Sequence, residues 1–214
     1  MKNKLHDYRR LYQKHELLEE GIPNNPFELF EVWLKEIEAN REVEEVNTMN
    51  LSTIGLDGFP KTRVVLLKEY DREGFVFYTN YESEKGKAIE RNPKVCLSFF
   101  WPGSERQVMV KGLAQKTTDE ESQAYFQTRP RGSQLGAWAS QQSSVIPSRS
   151  YLQEKLELLE QEFSGKEIPK PVYWGGYKVI PSEFEFWQGR PNRLHDRIYF
   201  SKEDTTWKMD RLAP

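Results

Sequence analysis

From Thr48 onward the apolar residues stop recurring at helical spacing and begin to alternate. That change of period limits the fold more than any other feature of the chain. Met49, Leu51 and Thr53 alternate with Asn50, Ser52 and Ile54, which predicts a strand with one buried face. Asp57-Gly58 is a hairpin signal. Residues 62–70 read as a second strand, whose Val64-Val65-Leu66-Leu67 run predicts burial on both faces. Further strands are predicted over 75–79, 94–101, 107–113, 172–180, 183–188, 197–201 and 206–211. Their connections are turns or helices without the regular alternation of a parallel sheet. No Gly-x-Gly-x-x-Gly opens a helix and no P-loop is present. The expectation is an antiparallel α+β fold, closed or partly closed into a barrel.

Helices fill the gaps. Leu5, Tyr8, Leu11, Tyr12, His15 and Leu18 predict a loosely attached helix over 5–19. Asn25-Pro26-Phe27-Glu28 is a helix start, with Asn as N-cap and Pro at the first position. Phe27, Phe30, Leu34 and Ile37 then form one face, beside Trp33. Ser83 caps a short helix, and Thr118 with Glu121 forms a capping box for a helix ending before Pro130. A polar loop is predicted from there to about Ser148. Leu152, Leu156, Leu159 and Phe163 mark a last helix, closed by Gly165.

Composition removes several function classes. Lys+Arg 31 against Asp+Glu 33 gives a net charge of -2, so nothing global draws the chain to nucleic acid or an anionic membrane. The lone Cys96 excludes a disulfide framework and fits a reducing compartment. No apolar run approaches the roughly 20 residues of a membrane span. The N-terminus is polar, so a cytoplasmic location is expected. Three His, at 6, 15 and 195, show no ligand spacing, so no metal site is expected.

The candidate chemistry is anion binding. Arg63 and Lys68 bracket an apolar strand; they are either ends in water or cations at a pocket's two ends. Tyr125, Arg129 and Ser133 surround an Arg-Pro-Arg-Gly-Ser turn that is either a solvated helix cap or a phosphate site. Ser83 and Lys85 open a helix, a natural anion position, though Glu84 between them opposes it. Arg193-Leu194-His195-Asp196-Arg197 is a dense polar cluster between two strands, where binding and catalysis concentrate, although a single loop His is more often ordinary surface. Together these suggest one or two phosphorylated ligands.

The motifs Arg63-Val-Val-Leu-Leu-Lys68, Phe77-Tyr-Thr-Asn80, Glu105-Arg-Gln-Val108, Thr128-Arg-Pro-Arg131, Ser133-Gln-Leu-Gly-Ala-Trp138, Gln142-Ser-Ser144, Phe186-Trp-Gln-Gly189, Arg193-Leu-His-Asp-Arg197 and Asp210-Arg-Leu-Ala-Pro214 run almost end to end. In these the chain resembles the pyridoxamine/pyridoxine 5'-phosphate oxidase family. The resemblance implies a split β-barrel with flanking helices and a homodimer with one FMN in each of two interface clefts. It implies oxidation of pyridoxamine or pyridoxine 5'-phosphate to pyridoxal 5'-phosphate, with O2 becoming hydrogen peroxide.

By matching position it implies FMN contacts from Arg63, Val64, Val65, Leu66, Leu67, Lys68, Tyr78, Thr79, Lys85, Gln107, Gln142, Ser143, Trp187 and Arg197. Lys68, Tyr125, Arg129 and Ser133 would meet the substrate phosphate. Arg193, Leu194 and His195 would meet its ring, with Arg193 and His195 as the catalytic pair. Arg9 and Tyr12 would belong to a mobile segment, residues 1–20, that covers the site of a single domain, 21–214. Two departures stand out: Thr128 where the family often has Ser, and Glu84 where it usually has an FMN-binding Arg. Another flavin-barrel oxidoreductase, such as a flavin reductase, and a non-catalytic FMN or pyridoxal-phosphate carrier are the alternatives.

Overall fold

The computed structural model describes residues 5–8, 10–41 and 43–214. Its elements in chain order are α1 (Pro26–Asn40), β1 (Thr48–Ile54), β2 (Pro60–Leu66), β3 (Glu69–Tyr70), β4 (Phe75–Asn80), α2 (Glu84–Arg91), β5 (Lys94–Trp101) and β6 (Arg106–Lys116). Then follow α3 (Asp119–Thr128), α4 (Arg131–Ala139), α5 (Arg149–Glu162), β7 (Trp174–Gln188), β8 (Asp196–Glu203) and β9 (Thr206–Arg211). The strand order is β2-β1-β5-β6-β7-β4-β3, with β8 paired to β7 and β9 to β8. The β3–β4, β4–β7, β7–β8 and β8–β9 pairs are antiparallel, as the period-two pattern predicted.

The chain divides into two compact units. The first comprises Met1–Asn50, Cys96–Lys111 and Pro181–Pro214; the second comprises Leu51–Val95 and Gly112–Ile180. In the first unit, α1 begins where Asn25 accepts a hydrogen bond from the Phe27 amide, with Pro26 at the first position. Its buried face packs rings on rings: Phe27 on Phe184, Phe30 on Phe99 and Trp33 on Phe186, with centroids 5.0–5.2 Å apart. Phe30 is fully buried, a contribution of about 1.5–3 kcal/mol for such a side chain. In the second unit Phe126, Leu135, Ile168 and Trp174 form a cluster that joins α3, α4 and the start of β7. The Ser83 cap and the Thr118–Glu121 capping box form as predicted.

The structure corrects the sequence reading in four places. No helix forms over the described residues of 5–18; only a short 3-10 turn, Glu19–Gly21, follows. The amides of Gln13, Lys14 and Leu17 donate to the distant carboxylates of Glu105 and Asp196 instead of to carbonyls one turn back. The Val64–Leu67 run is not buried on both faces: β2 ends the strand order and leaves Val64 63% exposed, while Leu67 is buried. The predicted loop after Pro130 contains α4, which Gly132 and Gly136 concealed by their poor helix propensity. Finally, β7 is one continuous strand. Its pairing passes from β4 at Val179 to β8 at Glu183, so Pro181 sits at the handover between these two partners.

Candidate active site

In the second unit β2, β4, α2, α3, α4 and the start of β7 enclose a cavity of about 630 Å³. That lies within the range of pockets that hold small ligands and cofactors. Eleven of the sequence-predicted site residues line it: Val64, Val65, Leu66, Lys68, Tyr78, Thr79, Lys85, Tyr125, Arg129, Ser133 and Gln142. Arg63, Leu67 and Ser143 belong to the same unit but are not on the cavity wall. Arg63 donates to the Leu51 carbonyl and to Thr53 Oγ1 at 2.8 Å. Leu67 points into the core, and Ser143 takes a left-handed backbone with φ of 74°.

Arg129 follows α3 and leads into α4, fixed by its amide bonded to the Phe126 carbonyl. Its guanidinium lies 4.7 Å from the Trp174 ring centre and 5.5 Å from that of Phe126. Nη1 is buried and has no hydrogen-bond partner. Burial pushes the pKa of this group down. A buried donor left unpaired is costly, so the arrangement suits an anionic acceptor in the cavity. Ser133 lies in the first turn of α4, where backbone N–H groups also favour an anion.

A second donor set sits at the start of α2. Lys85 Nζ donates to Gln142 Oε1 at 3.0 Å and to Thr79 Oγ1 at 3.3 Å. Its pKa is lowered by burial and then by the charge of Arg63. The Arg63 pKa is itself lowered by burial. Glu84, the departure from the family pattern, binds Lys61 of β2.

The same cavity is lined by an aromatic platform that the sequence did not reveal. Tyr78 stacks on Tyr125 at 4.0 Å and on Trp174 at 5.5 Å. Antiparallel register sets Gly176 opposite Tyr78, and a Cβ on Gly176 would fall 2.8 Å from the tyrosine ring. The Trp174-Gly175-Gly176 triplet was the available signal: a large ring followed by residues that admit close neighbours. Asn80, Thr128, Pro130, Gly136, Ala137 and Ser140 also line the cavity without having been singled out for it.

The other predicted residues lie in the first unit: Tyr12, Gln107, Trp187, Arg193, Leu194, His195 and Arg197. Arg9 lies outside the described residues. His195 packs on Trp187 at 4.7 Å, and Tyr12 packs on both rings at 5.8–5.9 Å. The Arg190 amide donates to His195 Nδ1 at 3.1 Å. Burial, then the Arg193 charge, lower the His195 pKa, so the ring is neutral near pH 7 and carries its proton on Nε2. Asn192 and Arg193 take left-handed backbone with φ of 58° and 63°, which bends the loop sharply before His195. Leu194 is exposed. Arg197 binds Glu185 at 2.8 Å and the Ala213 carbonyl at 2.8 Å.

Residues 35–162 match the family model described as pyridoxamine 5'-phosphate oxidase. Residues 174–214 match the pyridoxine 5'-phosphate oxidase C-terminal dimerisation region. The chain belongs to the pyridoxamine 5'-phosphate oxidase family. It is 61% identical to the pyridoxine/pyridoxamine 5'-phosphate oxidase of Flavobacterium johnsoniae, over 99% of both chains. It is 56% identical to that of Christiangramia forsetii, over 100% of both. Among solved structures it resembles PhzG from Burkholderia lata 383 in complex with tetrahydrophenazine-1-carboxylic acid, with a TM-score of 0.86 and 26% identity over 94% of this chain and 100% of that one. The antiparallel α+β split-barrel expectation is met. No helix among the described residues is long and apolar enough to cross a membrane.

Proposed function

We propose that this chain is an FMN-dependent oxidase that converts pyridoxamine or pyridoxine 5'-phosphate to pyridoxal 5'-phosphate, with O2 as the final electron acceptor reduced to hydrogen peroxide and, from the amine, ammonia released by water. The observation that carries this reading is the buried, unpartnered Arg129 Nη1 on the wall of a cavity lined by Lys68, Tyr125 and Ser133. These four residues would hold the substrate phosphate. Binding energy spent there, far from the reacting carbon, orients the rest of the substrate.

The residues present fit FMN. Lys85, Thr79 and Gln142 form one connected donor and acceptor set, and the nearby Arg63 cation is half-buried. These would hold the cofactor phosphate. Val64 to Lys68, Tyr78, Ser143, Gln107, Trp187 and Arg197 complete the proposed FMN contacts. Bound FMN would supply the two-electron acceptor; the protein supplies position and electrostatics.

Arg193 and His195 are the proposed catalytic pair, and Leu194 and Tyr12 further substrate contacts. Neutral His195 offers Nε2–H as a donor, its other nitrogen being engaged by the Arg190 amide. The ring therefore orients and polarises the substrate and is not required to remove a proton. The segment carrying Arg9 and Tyr12 would cover a site belonging to the single domain 21–214. The dimerisation-region match supports a homodimer, which would have an FMN in each of two interface clefts. The free Cys96 fits a cytoplasmic setting.

Anaerobic mixing of the yellow holoprotein with pyridoxamine 5'-phosphate tests the reading. Bleaching of the flavin absorbance is the expected result. A flavin that stays oxidised with both substrates would leave only the reductase or carrier alternatives.

A further inference from the structure

Glu105 belongs to the first unit. Ser104, Glu105 and Arg106 are all buried, at 1%, 8% and 6% exposure. Glu105 takes a left-handed backbone with φ of 58°, uncommon for a residue with a side chain. That conformation is held from behind: the Gly189 amide donates to the Glu105 carbonyl at 2.7 Å, and Gln188 Nε2 does so at 3.3 Å. The side chain is thereby aimed at the N-terminal segment. There its Oε2 accepts from two successive amides, Gln13 at 2.9 Å and Lys14 at 3.1 Å. Consecutive backbone N–H groups converging on one anion form a nest, a strong and directional grip.

The residue just before that nest is Tyr12, whose ring lies against Trp187 and His195. Its seat is closely shaped. A Cβ on Gly189 would fall 2.9 Å from Tyr12 Cγ and 3.0 Å from both Tyr12 Cβ and Glu105 Cβ. Tyr12 therefore stays in place only if position 189 is bare and the backbone after it is held.

We propose that Glu105 is a positioning residue: it clasps the amides of Gln13 and Lys14 and so holds Tyr12 against His195 and Trp187. Glu105 need not touch substrate or cofactor; it acts through Tyr12 on the ring environment of His195. Only the kinetic part of this proposal rests on the oxidase reading.

The test uses holoenzyme of wild type, Glu105→Ala, Glu105→Gln and Gly189→Ala, with three readouts: the rate of tryptic cleavage after Lys14, the FMN dissociation constant, and KM and kcat for pyridoxine 5'-phosphate. Glu105→Ala should speed cleavage about tenfold or more, the scale of losing bonds to a charged acceptor. It should raise KM more than it lowers kcat and leave FMN affinity unchanged. Glu105→Gln keeps an acceptor oxygen and should recover most of the protection and the KM. Gly189→Ala keeps the carboxylate but crowds both Tyr12 and the Glu105 Cβ, so it should raise KM in the same way, and it serves alone if Glu105→Ala does not fold. Wild-type cleavage in Glu105→Ala, a Gln variant as exposed as the Ala variant, or an unchanged KM in Gly189→Ala would overturn the clasp. If cleavage follows the prediction and no protein, wild type included, oxidises the substrate, the clasp stands and the oxidase reading fails.

Discussion

Two sets of cations, one in each unit, are held in opposite ways. In the cavity of the second unit, Arg129 and Lys85, with Arg63 nearby, have pKa values lowered by burial, and Arg129 keeps a buried nitrogen without a partner. In the first unit, Arg211 has a raised value because carboxylates hold it, Glu19 and then Asp196. Arg211 Nη1 meets Asp196 at 2.8 Å, and Nη2 also reaches the Leu17 carbonyl at 2.8 Å. Cations desolvated without a counter-charge destabilise the empty fold and become favourable when an anion arrives. Paired cations stabilise the fold whether or not a ligand is present. The contrast separates the proposed ligand pocket from a strut, although both regions contain arginine.

The sharpest way to break this contrast is to remove one cation of each kind. Arg129→Met should weaken pyridoxine 5'-phosphate binding by roughly 1.5–3 kcal/mol, about 10- to 150-fold, while changing FMN affinity little. The same variant should leave the ligand-free protein as stable as wild type or more so, because an apolar side chain replaces an unpaired buried charge. Equal loss for both ligands, with lowered stability, would make Arg129 a strut like the others. The measurements are ligand titration and urea unfolding.

Arg211→Met should behave in the reverse sense: ligand affinities change little, and the fold loses roughly 1–2 kcal/mol with the contact to the half-buried Asp196. The pH dependence sharpens it. Arg211 holds the Glu19 carboxyl at about 2, below its ordinary 4.5. A depressed carboxylate stabilises the fold above its unfolded pKa and loses that contribution as pH falls through its folded one. The stability gap between wild type and Arg211→Met should therefore be full above pH 4.5 and narrow as pH approaches 2. A gap that is flat across this window would mean that Glu19 takes no part in the strut.

The same contrast explains what was legible in the sequence. Features set within a few residues could be read directly: the Ser83 and Thr118 caps, the Asn25-Pro26 helix start and the alternation in β1. Arg129 and Lys85 were legible as motif residues because each stands in a short local pattern. The strut was not. Gln13 finds its acceptor 92 residues away and Leu17 finds its own 179 residues away, so a stretch with helical spacing was pulled straight by contacts no local pattern encodes. The aromatic floor failed for a related reason: Trp174 reaches Tyr78 and Tyr125 only through sheet register and the docking of α3. The left-handed Glu105 is likewise defined by its bond to Gly189, not by its neighbours in sequence.

The smallest predicted effect lies between the two kinds of cation. Glu84 occupies the first position of α2, beside cations that are otherwise poorly compensated, and it raises the pKa of both Arg63 and Lys85 by its charge. Its own partner is Lys61, and the two side chains are 43% and 37% exposed. Glu84 thus gives the proposed cofactor pocket some of the pairing that marks the strut. If the cofactor phosphate uses Arg63 and Lys85, Glu84→Gln should tighten FMN, because Lys61 is released and both other cations lose a competing carboxylate. Two effects keep the gain small. An exposed ion pair is worth at most about 1 kcal/mol. The helix also loses a favourable acid in its first turn, about 0.3–1 kcal/mol, which should appear as a slightly less stable apo-protein. FMN fluorescence titration at low and high salt separates these terms, since the gain in affinity should shrink as salt screens the freed cations. Weaker FMN binding in Glu84→Gln would show that the carboxylate supports the site, holding β2 to α2 through Lys61. The departure from the family pattern would then be a strut placed inside the pocket.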